Sequence, residues 1–103
     1  MNIKNYLSID SLEDKFGPMS VCLFIKSFRE ADGVSQSDFA KKLKISRANL
    51  CDIEKGRKLI GAKRAAKLAK ILKVPETTLL KLALQDTLRQ ANLNYQINLT
   101  KAS

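Results

Sequence analysis

The residues able to do chemistry in this chain are mostly cations, and they crowd into one segment. Residues 35–74 hold twelve lysines and arginines against Asp38, Asp52 and Glu54, a net charge of +9 that equals the net charge of all 103 residues. A basic field confined to one sub-region suits a surface that binds a polyanion. A charge run by itself reads more simply as a solvated helix face, so the pattern inside the segment has to decide. Acid–base and covalent chemistry has little to work with. The chain lacks histidine, the commonest general base, and it contains neither a nucleophile elbow nor a glycine-rich phosphate loop. Cys22 and Cys51 are too few for a disulfide framework and too sparse for a zinc site. Cys22 reads as a small apolar residue and Cys51 as a partly exposed thiol in a reducing cytosol. No enzyme, cofactor or metal is expected.

The elements that position the cations centre on residues 35–57, SQSDFAKKLKISRANLCDIEKGR. Phe39, Ala40 and Leu43 mark one short apolar face, and Leu50 and Ile53 mark a second. Ser35 is a good N-cap, with Asp38 at the third position as in a capping box. Ser46 caps the next helix, and Gly56 suits its C-terminal end. Two short helices joined by a tight turn must pack at an angle on a third element. That is the shape of a helix-turn-helix, whose second helix can enter the DNA major groove.

The remaining chain reads as support. Residues 1–17 form an N-terminal arm, with a short helix expected over residues 8–16 and a break at Gly17-Pro18. A helix over about residues 18–32 starts near Pro18, ends at Gly33, and buries Val21, Phe24, Ile25 and Phe28. Arg29 lies beside that stripe and needs a partner. Helices over residues 36–43 and 46–55 follow. A fourth, over about residues 62–73, carries Ala65, Leu68, Ala69 and Leu72 at helical spacing. A fifth starts after Pro75 and runs to about Asn92, with Leu79, Leu80, Ala83, Leu84, Leu88 and Ala91 apolar. The sum is an all-α domain over residues 18–92. Residues 93–100, LNYQINLT, alternate apolar and polar, the period of a strand. One strand is not stable alone, so the tail over residues 93–103 is either disordered or paired with a copy of itself or another protein's sheet edge. The chain has no apolar run of about 18 residues for a membrane span, and its N-terminus has no secretory h-region.

The segment resembles the Xre/Cro/phage-repressor type of helix-turn-helix family. The matching residues are Ser35-Gln36-x-x-Phe39-Ala40, Ile45-Ser46, Ile53-Glu54-x-Gly56-Arg57 and Leu68-Ala69-x-x-Leu72-x-Val74, in the family's order and spacing. The resemblance spans about residues 21–84. It implies a five-helix, repressor-like domain that binds double-stranded operator DNA, commonly as a two-fold homodimer. Carried over position by position, it makes Arg47, Ala48, Asn49 and Asp52 the base-reading set. Arg47 would take guanine O6 and N7, Ala48 a thymine methyl, and Asn49 an adenine or a phosphate. Gln36, Ser46, Lys55, Arg57 and Lys58 become the phosphate-binding set. Asp52 departs from the usual neutral or basic choice. A carboxylate there can accept from cytosine N4 or orient Arg47. The resemblance also pairs Arg29 with Glu54 as an ion pair tying the first helix to the third.

The expected function is therefore sequence-specific transcription regulation, as a repressor acting in the cytoplasm at the nucleoid. Small members of such families are often antitoxins that bind a toxin and repress their own operon, so a cognate toxin is one expected partner. The alternative expectation is a protein-interaction module whose DNA binding is secondary, motivated by the tail.

Overall fold

The computed structural model describes residues 19–100 and 102, and these contain five helices and no strand. The helices are α1 (Val21–Asp32), α2 (Gln36–Leu43), α3 (Arg47–Glu54), α4 (Ala62–Leu72) and α5 (Glu76–Gln90). The expected N-terminal arm and its helix over residues 8–16 lie outside the described residues. The chain divides after Lys58 into two compact units, the first carrying α1 to α3 and the second α4 and α5.

In the first unit, α1 begins later than Pro18 suggested. Ser20 is its N-cap, and its hydroxyl accepts from the Leu23 N–H. A hydroxyl that satisfies a free first-turn N–H defines a start better than a proline, which only tolerates one. The expected stripe of Val21, Phe24, Ile25 and Phe28 is buried. Phe28 stacks on Phe39 of α2 with ring centroids 6.3 Å apart, and Phe24 lies 6.1 Å from Phe28. Phe39, Ala40 and Leu43 of α2 and Leu50 and Ile53 of α3 are also buried. Ser35 and Ser46 cap α2 and α3 as expected, accepting from the Asp38 and Asn49 N–H groups.

The turn between α2 and α3 is built on Lys44, which has φ 60°. The Lys44 N–H reaches the Lys41 carbonyl and the Ile45 N–H reaches the Ala40 carbonyl, so the chain reverses within two residues. Gly33 takes the same left-handed conformation after α1, with φ 72°. A side chain at φ near +60° is strained where glycine is not. Lys44→Gly should therefore stabilise the chain by about 0.5–1 kcal/mol, the relieved strain exceeding glycine's extra freedom in the unfolded chain. Urea unfolding at constant m-value measures this as a higher midpoint.

In the second unit, α4 and α5 pack together. Ala65, Leu68, Ala69 and Leu72 are buried as their spacing predicts. On α5 the buried set is Leu79, Leu82 and Ala83. Leu82 replaces the expected Leu80, Leu84, Leu88 and Ala91. Leu80, Leu84 and Leu88 are half-buried and Ala91 is exposed. The strand-like tail forms no strand among the described residues. The side-chain amide of Gln85 instead donates to the Tyr95 carbonyl and accepts from the Ile97 N–H. Those two bonds flank Gln96 as a neighbouring strand's peptide would, so a side chain of α5 substitutes for one peptide of a partner strand.

Candidate nucleic-acid interface

The expected site residues all lie in the first unit, and one polar network fixes the helices that carry them. Arg29 on α1 donates from Nε to Glu54 Oε2 at 2.8 Å and from Nη2 to Oε1 at 3.1 Å. Its Nη1 donates to the Val34 carbonyl at 3.1 Å, in the loop that leads into α2. Glu54, at the end of α3, also accepts from Gln36 Nε2 of α2 at 3.1 Å. One buried carboxylate thus joins α1, α2 and α3. The Glu54 side chain is 4% exposed and that of Arg29 17%. A bidentate guanidinium–carboxylate pair with further hydrogen bonds meets the conditions under which a buried charge is tolerated. The hydrogen bond that Arg29 donates to Glu54 raises the Arg29 pKa above its ordinary value, against the opposing pull of burial.

Gln36 therefore has a structural partner that its sequence position did not disclose. Its amide nitrogen carries two protons. One is committed to Glu54, and the other remains for an acceptor outside the chain. Ser46 is similar. Its oxygen accepts from the Asn49 N–H at 3.0 Å, while its own hydroxyl proton can still be donated. Both residues stand at helix N-termini, where free N–H groups and the helix dipole favour an anion.

The first turn of α3 presents Ser46, Arg47 and Ala48 to solvent. Asn49 behaves differently. It is half-buried, and its Oδ1 is turned away from solvent without a hydrogen-bond partner among the described residues. An unpaired buried oxygen is unfavourable, so rotating this amide outward breaks no hydrogen bond at that oxygen.

Past the end of α3, Lys55, Arg57 and Lys58 are exposed. Gly56 has φ 70°. Its N–H reaches the Ile53 carbonyl, and the Arg57 N–H reaches the Asp52 carbonyl at 2.9 Å. These two bonds make a Schellman ending, which folds the residue after the glycine back over the last turn. Asp52 is thereby brought to Arg57 and Lys58, with Oδ1 3.6 Å from Arg57 Nη1 and Oδ2 3.9 Å from Lys58 Nζ. Of the two roles open to Asp52, orienting Arg47 gains no support, because its charged partners lie on the C-terminal side. The helix rule of i+3 and i+4 neighbours does not reach them. The signal that would have found them is Gly56, since a glycine ending sets the following residue beside the one five positions earlier.

A surface with an exposed guanidinium at a helix start, hydroxyl and amide donors at two helix N-termini and three cations beyond the helix end is suited to the edges and phosphates of a nucleic-acid duplex. Among the described residues, no helix is long and apolar enough to cross a membrane. The model of the helix-turn-helix family matches residues 25–79, more than half of the chain. No curated protein and no solved structure gives a significant match.

Proposed function

The chain belongs to the helix-turn-helix family of Xre/Cro type, a family of DNA-binding transcription regulators, and from that premise we propose that it is a repressor that binds a palindromic operator as a homodimer. The observation that carries the proposal is the exposed first turn of α3, a helix tied at its other end to α1 and α2 by the Arg29–Glu54–Gln36 network, with exposed cations just beyond that end. In this reading Arg47 takes a guanine edge, Ala48 a thymine methyl, and Asn49 swings out to an adenine or a phosphate. Asp52 is the fourth reading position, with cytosine N4 as its donor. Gln36, Ser46, Lys55, Arg57 and Lys58 hold phosphates and set the register without reading sequence. The regulator then works in the cytoplasm, at the nucleoid. The Gln85 contact supports this reading over the interaction-module one, because the tail has an intramolecular partner at the point where it was expected to seek another strand.

The proposal is tested by fluorescence anisotropy on duplexes of different sequence across a salt series. Lys58→Ala should weaken binding to every duplex alike and lower the slope of log K against log salt by about 1, as loss of one phosphate contact requires. An unchanged slope would remove Lys58 from the phosphate set.

A further inference from the structure

Asp52 is an anion placed among the proposed DNA contacts. Its separations from Arg57 and Lys58, 3.6 and 3.9 Å, exceed the ~2.7–2.9 Å of a charge-assisted hydrogen bond. The carboxylate therefore attracts both cations without locking either. The cations are 62% and 59% exposed, and the carboxylate is 28% exposed, so all three groups can exchange partners with a ligand that arrives from solvent. The backbone keeps them together, since the Arg57 N–H is bonded to the Asp52 carbonyl.

We propose that Asp52 is a specificity-determining residue that acts through Arg57 and Lys58, by competing with DNA phosphates for these two cations; this rests on the DNA-binding reading above. On DNA of arbitrary sequence, moving Arg57 and Lys58 onto phosphates strips the carboxylate of its partners and leaves it in the negative field of the backbone. A site that presents a cytosine N4 amino group to Asp52 supplies a replacement donor. There the exchange loses less. Asp52 thus weakens binding to random DNA more than binding to a matching site, which is specificity gained by penalising the wrong partner.

The test compares native protein and Asp52→Asn on two probes: a random-sequence duplex, and the duplex that the native protein enriches from a randomised pool. Asp52→Asn should bind the random duplex about tenfold more tightly, as no carboxylate is then left unpaired in the field of the backbone when the two cations move onto phosphates. It should gain clearly less on the enriched duplex, so the ratio of the two affinities falls. Asp52→Glu, which keeps the charge, should keep most of the native ratio. With Arg57→Gln and Lys58→Gln in place, Asp52→Asn should gain no more than about twofold, because the groups it acts through are gone. Unchanged binding to the random duplex, equal gains on both duplexes, or a full gain in the double-glutamine background would each overturn the proposal while leaving DNA binding intact. Failure of the native protein to bind either duplex would overturn the DNA-binding reading and this proposal with it.

Discussion

Arg29→Ala should destabilise the chain by about 2–4 kcal/mol, because it leaves the buried Glu54 carboxylate without its countercharge. Gln36 still donates to Glu54 and offsets part of the loss. The Val34 carbonyl loses its guanidinium donor as well, so the α1–α2 connection loosens along with α3. For a chain of this size the thermal midpoint should fall by roughly 4–8 °C per kcal/mol. Glu54→Ala should be milder, since the Arg29 side chain reaches solvent and keeps its bond to Val34. The double variant should be less damaging than the sum of the two by about 1–2 kcal/mol, and strict additivity would show that the pair is not coupled. The pH dependence has a definite sign. The folded-state pKa of Arg29 is raised, so its contribution is complete below the unfolded-state value and is lost only as pH climbs through the folded one. Between about pH 6 and 9 the charge on Arg29 should therefore leave the midpoint unchanged.

The second large effect concerns binding. Arg47→Ala should weaken binding to the preferred duplex by about 1–3 kcal/mol per half-site and relax the preference at one base position. Binding to random duplexes should fall much less. An equal loss on preferred and random DNA would make Arg47 a phosphate contact. Arg47 is exposed on the first turn of α3, so its removal should not disturb stability, and unchanged unfolding separates this result from that at Arg29.

Where one apolar stripe and one cap coincide, the fold was legible in the sequence. Ser35 and Ser46 start α2 and α3, Gly33 and Gly56 follow α1 and α3, and the buried faces of α1 to α4 contain the predicted residues. α5 was ambiguous because its leucines are too dense to define one stripe. Leu79 with Leu82 and Ala83 competes with Leu80, Leu84 and Leu88, and packing chooses the first set. Alternation in the tail signals a strand only when a second strand is present, and none lies among the described residues. Here Gln85 supplies two bonds and no ladder forms.

The candidate site was legible to a lesser degree. The Arg29–Glu54 pair came from family resemblance, and the geometry has it bidentate. The bond from Gln36 to Glu54, the orphaned oxygen of Asn49 and the attachment of Asp52 to Arg57 and Lys58 depend on side-chain directions that spacing along the chain does not specify. Lys44 has φ 60° where glycine is the easier choice, so the sequence carried no glycine to mark the turn.

If α3 recognises a specific sequence, enrichment from a randomised duplex pool reveals it. The native protein should enrich one sequence with two inverted half-sites about 34 Å apart, roughly one turn of DNA. Arg47→Ala should enrich the same spacing with one guanine position blurred in each half. A pool that stays random after repeated rounds with the native protein would contradict sequence-specific recognition by α3.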